Sequence, residues 1–232
     1  MIGSPRVHHR VADSTNQRAK ELAARGAPHG TLVTADEQTA GRGRQGRTWV
    51  APPGGSLLMS VVVRELDQSA ALLPLAAAVA VCEAAERLAP VRCAIKWPND
   101  VWVEGRKVCG ILVEGRPAEG WAVVGIGLNV RVADFPAELA ATATSLSAYA
   151  APGPTVEDAL RETLPALDRR LRTPAAELLD AWRERDALRG RRVRWGGGEG
   201  VAAGIDDTGA LVVETSDGSR VNLDAGEVHL ER

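Results

Sequence analysis

Three glycines alternate with three arginines in Gly41-Arg42-Gly43-Arg44-Gln45-Gly46-Arg47, a segment introduced by Glu37-Gln38-Thr39-Ala40 and closed by Thr48-Trp49. Glycine tolerates positive φ and lets backbone N–H groups approach a ligand. Arginine presents a planar fork that meets a carboxylate or phosphate with two hydrogen bonds at once. A mobile cationic loop ending on an aromatic side chain suits closure over an activated, anionic small molecule. A solvated basic turn uses the same residues, so the loop alone leaves both readings open. Two more polar segments interrupt apolar strands: Lys96-Trp97-Pro98-Asn99-Asp100, and Lys107 at the head of Val108 to Glu114. A lysine opening a strand is commonly a solvated strand end. Here a tight turn at Gly105-Arg106 brings Lys107 back opposite the Trp-Pro-Asn-Asp stretch, so Lys96, Asn99, Asp100 and Lys107 can converge. Lysines and arginines around one pocket stabilise charge that develops during attack on a phosphate. No Walker A sequence, Gly-x-Ser-x-Gly elbow or Ser–His–Asp set accompanies them.

The elements that must carry these groups follow in order. Residues 6–12 read as a strand. Ser14 with Gln17 forms a capping box for a helix over 17–25, and Ser14, Thr15 and Asn16 either cap it or meet a small polar ligand at its N-terminus. A strand over 31–36 delivers the Arg/Gly loop, and 57–64 is a strong strand. Residues 68–88 form a buried helix, kinked or started near Pro74. Short strands over 94–97, 100–104 and 107–114 precede an apolar strand over 121–130. Its Gly125-Ile126-Gly127 leads into no helix, which excludes a dinucleotide-binding fingerprint. Residues 132–154 read as loop, and 156–171 and 175–188 as amphipathic helices. From Gly190 the composition changes to short alternating strands punctuated by Gly196-Gly197-Gly198, Asp207-Thr208-Gly209 and Ser216-Asp217-Gly218. Five such strands predict a small barrel of the SH3 type. About forty residues make a thin core, so this module should pack on the rest. The expected division is 1–188 and 189–232.

The bulk properties narrow the classes. With 28 basic and 30 acidic residues in 232, the chain lacks the cationic footprint of a duplex nucleic-acid binder. Six of the eight aromatic residues are Trp, set beside Gly, Pro or charged residues, so some are expected to face a ligand. Cys82, Cys93 and Cys109 are odd in number with no CxxC spacing, and the four histidines show no ligand spacing. A reducing cytoplasm is expected, with neither disulfide nor zinc site. The longest apolar run, Ala70 to Cys82, is too short for a membrane span, and no signal peptide opens the chain. From the residues alone this is a soluble mixed α/β domain with an anion-binding pocket.

Five segments together carry a resemblance: Asp-Ser-Thr-Asn at 13–16, Gln-Thr-Ala-Gly-Arg-Gly-Arg-Gln-Gly-Arg-x-Trp at 38–49, Lys-Trp-Pro-Asn-Asp at 96–100, Lys-x-x-Gly-Ile-Leu-x-Glu at 107–114 and Gly-Ile-Gly-Leu-Asn-Val at 125–130. In this order the chain resembles biotin–protein ligases over nearly its whole length. The resemblance implies an α+β fold: a mixed sheet of the class II synthetase and biotin ligase type with helices on one side, plus an SH3-like C-terminal barrel. It implies that biotin's carboxylate attacks the α-phosphate of MgATP to give biotinyl-5′-AMP. A lysine of a biotin carboxyl carrier domain of an acyl-CoA carboxylase then takes the biotinyl group. Lys107 is similar to the family lysine between biotin carboxylate and α-phosphate, touching both substrates. Arg44, with Arg42 and Gly43, resembles the loop that orders over biotin and retains the adenylate, with both arginines also on the ATP side. Ser14, Thr15, Asn16 and Gln38 match positions around the ureido ring. Trp49, Asn99 and Asn129 match the nucleotide side, Trp49 as an adenine stack, and Lys96 would meet the phosphates. Asp100 matches an acid beside the reacting centre, either binding magnesium or orienting Lys107. Catalysis is thus expected to rest on Lys107, Arg44 and Asp100, with the magnesium ligands unassigned.

Only about a dozen residues precede Ser14, too few for the winged helix–turn–helix of the repressor members. The expectation is the short form, with no DNA or membrane partner, as monomer or homodimer. A lipoate–protein ligase of the same superfamily is the nearest alternative, and a non-catalytic RNA- or partner-binding module the alternative from another class.

Overall fold

The computed structural model describes residues 2–64, 66 and 68–230. Seven strands form the main sheet: β1 (Arg6–Ala12), β2 (Leu32–Gln38), β3 (Ser56–Arg64), β4 (Cys93–Lys96), β5 (Asp100–Val103), β6 (Arg106–Arg116) and β7 (Trp121–Asn129). Their order is β1-β2-β3-β7-β6-β5-β4. β1 and β2 run parallel and every other pair antiparallel, so the sheet is mixed, as the resemblance implies. The central strands β3 and β7 are almost wholly buried, as expected of strands covered on both faces.

Side chains alternate between the faces of a strand, and the two buried clusters divide accordingly. Val61, Val63, Val124 and Ile126 join helix α2 (Leu73–Leu88) in the large core. Val62 and Val123 join Ala19 and Ala23 of helix α1 (Thr15–Ala24) in a smaller one. The later helices α3 (Val156–Arg170) and α4 (Ala175–Arg183) pack with α2. Among the described residues, three of the four α-helices therefore share one face. The short α1 covers only part of the other, leaving the rest open as a cleft.

Several local expectations shift. The capping box of Ser14 and Gln17 is not made: Ser14 stands at the N-cap without a side-chain bond, and α1 starts two residues early at Thr15. Gln17 donates instead to Glu21, at 3.1 Å. A capping box does form at α3, between Thr155 and Asp158. Pro74 starts α2, after a 3₁₀ turn over Gln68–Leu72, because proline fits the first turn where its missing N–H has no intrahelical partner. The β5–β6 hairpin turns on Glu104 and Gly105, both at positive φ (50° and 75°), not on Gly105 and Arg106. α4 ends at Arg183, five residues before the expected 188. There the chain leaves the helix to extend the sheet edge: Ile95 N donates to Arg185 O at 2.6 Å and Ala187 N to Ile95 O at 2.9 Å. Asp186 Oδ1 accepts from Leu188 N, at 2.8 Å, and closes that turn.

The C-terminal strands are β8 (Arg192–Trp195), β9 (Gly198–Ile205), β10 (Leu211–Glu214), β11 (Arg220–Leu223) and β12 (His229–Leu230). They form an antiparallel sheet of order β11-β10-β9-β8-β12, consistent with an SH3-like module. Among the described residues no ladder closes β11 onto β12. Val193, Ile205, Leu211 and Val213 merge with the α2 core, and Trp97 Nε1 donates to Gly209 O at 3.0 Å. The module thus packs on the main sheet, as its small size requires.

Candidate active site

The open part of the sheet is a cleft of ≈ 270 Å³. Its floor is built from absence of side chains. Gly110 and Gly127 are cross-strand partners on β6 and β7. A Cβ at Gly127 would stand 2.6 Å from the Trp49 ring, and one at Gly110 2.8 Å from it. Both lie under 3.0 Å, so any side chain there would displace Trp49. A Cβ at Gly125 would meet Asn16 Oδ1 at 2.0 Å. The Gly-Ile-Gly of β7 is therefore a platform for Trp49 and Asn16.

At one end the start of α1 presents neutral polar groups. Ser14, Thr15 and Asn16 are all buried. Gln38, at the end of β2, accepts through Oε1 from Thr15 N at 2.7 Å and Thr15 Oγ1 at 3.1 Å. Ser60 of β3 stands 2.8 Å from Thr15 Oγ1 and 2.6 Å from Asn16 Oδ1. The Ser60 hydroxyl has one proton, and Asn16 Oδ1 can only accept, so Ser60 donates to Asn16. Asn16 Nδ2 in turn donates to Leu112 O (3.2 Å) and Glu114 Oε2 (2.9 Å). Glu114 also holds Lys20, at 2.9 Å, and Arg42, at 3.3 Å. Burial works to raise its carboxyl pKa, but the bonds from Lys20 and Asn16 and the charges of Lys20 and Arg42 outweigh burial and hold it below the usual range.

In the middle of the cleft Lys107 Nζ lies 2.7 Å from Asp100 Oδ1 and 5.6 Å from the Trp49 ring centroid. Asp100 Oδ1 is buried without a well-directed donor, although Nζ is so near. The two groups form an ion pair whose geometry is off that of a directed hydrogen bond. Gly110 again makes room, its missing Cβ lying 3.2 Å from Lys107 Nζ. The Lys107 backbone is tied to the cleft's outer wall, donating to Thr142 O at 2.7 Å and accepting from Thr144 N at 2.9 Å.

The Arg/Gly loop forms the rim. Gly41 lies against the Trp49 carbonyl, where a Cβ would come to 2.3 Å, and Gly46 takes φ 74°. Arg44 donates to Asn99 Oδ1, at 3.0 Å, and to Gly226 O, at 3.0 Å. Burial lowers its pKa and the charge of Asp100 opposes the shift; a guanidinium remains a cation throughout. Asn129 accepts from Ser56 Oγ (3.1 Å) and donates to Thr144 O (3.1 Å).

Twelve of the thirteen residues expected at the site line this cleft: Ser14, Thr15, Asn16, Gln38, Arg42, Gly43, Arg44, Trp49, Asn99, Asp100, Lys107 and Asn129. Lys96 does not. It lines a neighbouring crevice with Arg44, Arg47, Asp100 and Glu227, its Nζ 5.6 Å over the Trp102 ring. Burial lowers its pKa, against the charges of Asp100 and Glu227. The sequence reading missed Ser60, the hub role of Glu114, the glycine floor, and the wall formed by Phe135, Leu139 and Thr142. Glycines at alternate positions of one apolar strand, with another on its neighbour, were the available signal for the floor. A serine inside the apolar run 57–63 was the signal for Ser60.

A cleft that is neutral and hydrogen-bonding at one end, cationic in the middle and aromatic at its wall defines an enzyme site for a small acid and a second, anionic substrate. The biotin/lipoate A/B protein ligase family model matches residues 8–130, and the biotin protein ligase C terminal domain model matches residues 190–230. The chain belongs to this family. It is 38% identical over 233 residues to the bifunctional ligase/repressor BirA of Bacillus subtilis, covering 94% of this chain and 72% of that protein. It is 38% identical to the biotin–[acetyl-CoA-carboxylase] ligase of Paracoccus denitrificans, covering 93% and 96%. A biotin protein ligase from Aquifex aeolicus, solved with biotin and ATP, is 29% identical with a TM-score of 0.87, covering 99% of both chains.

Proposed function

We propose that this chain is a biotin–protein ligase that activates biotin with ATP and passes it to a lysine of a biotin carboxyl carrier domain. In the first step a biotin carboxylate oxygen bonds to the α-phosphorus, the bond from that phosphorus to the bridging oxygen breaks, and pyrophosphate leaves. In the second, the carrier's lysine amine attacks the acyl carbon, loses a proton, and displaces AMP. Magnesium arrives with ATP as part of that substrate. Among the described residues no three His, Cys, Asp or Glu side chains gather into a resident metal site.

The observation that carries this reading is the position of Lys107 Nζ, 2.7 Å from Asp100, between the neutral end and the cationic rim. An ammonium there meets a carboxylate and a phosphate at once and stabilises charge as the new bond forms. Asp100 is assigned the task of orienting Lys107. Ser14, Thr15, Asn16 and Gln38 face the ureido ring, a neutral group that needs neutral partners. Arg42, Gly43 and Arg44 close over the adenylate, Trp49 stacks on adenine, and Asn99 and Asn129 shape the nucleotide side. Lys96 serves the departing phosphates from its crevice. One chain supplies every one of these groups.

The division at 188/189 is read as catalytic and supporting parts, and the setting as cytoplasmic; no helix among the described residues is long and apolar enough to cross a membrane. The dithiolane ring of lipoate offers little to hydrogen-bond. It would bring no hydrogen-bonding group to the polar side chains of Thr15, Asn16 and Gln38 that line this end of the cleft. ATP–pyrophosphate exchange tests the choice. Exchange driven by biotin and not by lipoate is expected; the reverse would overturn it.

A further inference from the structure

Each arginine of the Arg/Gly loop ends on an acceptor outside the loop. Arg42 reaches Glu114 on β6, and Arg44 divides its guanidinium between Asn99 and Gly226. Arg47 pairs with Glu227, its Nη1 2.6 Å from Oε1. Gly226 and Glu227 lie between β11 and β12, so two of three anchors come from the C-terminal module. The loop's inner part is otherwise held by few bonds. Gly43 N donates to Arg47 O at 2.7 Å and Trp49 N to Gly41 O at 3.0 Å, which close it on itself without fastening it to the sheet. The Arg47 side chain is 57% exposed and that of Glu227 28%. An ion pair this open is weak, and a weak pair suits a latch that must release for substrates to enter.

We propose that Glu227 is a positioning residue: the C-terminal module clasps the lid through the Arg47–Glu227 pair and the Gly226 carbonyl, and the clasp sets how long the lid stays closed over the bound acyl-adenylate. The inference rests on the adenylate chemistry proposed above, but the clasp itself does not. Arg44 makes the connection physical, since one guanidinium touches both the cleft residue Asn99 and the module's Gly226. Loss of the carboxylate removes the ion pair at Arg47 and leaves the Arg42 and Arg44 ties to hold the lid. The carboxylate's ion-pair partner within the loop is Arg47, so its effect on retention is transmitted through the lid.

The test uses the full chain, Glu227→Gln, and the swap Arg47→Glu with Glu227→Arg. Three quantities are followed: hydrogen exchange of amides 41–49 without ligand, dissociation of preloaded biotinyl-adenylate, and the single-turnover rate of adenylate formation. Glu227→Gln should speed loop exchange and adenylate release about two- to five-fold, the size expected for an exposed pair. The swap should return both to wild-type values. Unchanged loop exchange and retention in Glu227→Gln, or a swap that restores neither, overturns the clasp. If Glu227→Gln loosens β8–β10 as well, the swap alone decides. Absence of any adenylate in the wild type counts against the proposed function, while loop exchange still decides the clasp.

Discussion

At the scale of single residues, Lys107 and the side-chain atoms that glycines lack shape the cleft. Lys107 Nζ stands 2.7 Å from Asp100 Oδ1 in the middle of the cleft, where an ammonium can meet two anions. Lys107→Ala should lower the adenylation rate about 10²–10³-fold, the usual effect of removing one charge-stabilising donor. Its thermal midpoint should stay near wild type, because the side chain is one-third exposed. Near-normal exchange activity would contradict the role. Gly125 gives a test of the opposite kind. Its added Cβ would overlap Asn16 Oδ1 at 2.0 Å, so Gly125→Ala must move Asn16 off Ser60 and Glu114. We expect KM for biotin to rise at least about ten-fold, the loss of roughly 1.4 kcal/mol, with KM for ATP little changed. Lys107, Asn16 and Trp49 were legible in the sequence because charged, amide and aromatic side chains announce themselves inside apolar runs. The glycines and Ser60 were not: their value is the space or single proton they give a neighbour, which appears only once the strands are paired.

At the scale of elements, the Arg/Gly loop is the proposed lid and Glu114 one of its anchors. Arg44→Gly should leave adenylate formation measurable but let the product escape, seen as biotin on exposed lysines of bystander proteins. A variant that still labels only the carrier domain would refute the lid. Glu114 titrates below its usual value of 4.5 in the folded protein. Its stabilising contribution is therefore complete above pH 4.5 and is lost as pH falls through the lower folded-state value. Denaturation midpoints of wild type and Glu114→Gln should differ above pH 4.5 and converge at lower pH; a constant gap would contradict the assignment. Strand and helix positions were largely readable, since periodicity and turn residues act locally. The end of α4 was not, because residues 184–188 are drawn out of helix by Ile95, far away in sequence. The same holds at Ser14. Its capping potential is local, but burial against the cleft takes precedence.

At the scale of the whole molecule, the C-terminal sheet is more than an appendage. It shares the α2 core through Val193 and Leu211, takes a hydrogen bond from Trp97, and offers Gly226 and Glu227 to the loop. Its small size made this packing predictable, whereas its reach to the cleft rim was not, because the contact lies between turns that no sequence pattern links. Two layers thus meet at one site: the glycine floor seats Trp49 and Asn16, and the module offers anchors to the loop at the rim. The most direct test of the whole is to incubate the purified chain with biotin and MgATP, without carrier domain, and analyse the bound small molecules by mass spectrometry. Biotinyl-5′-AMP should accumulate on the wild type and be absent from Lys107→Ala. Its absence from the folded wild type, or equal accumulation on both, would contradict the central claim.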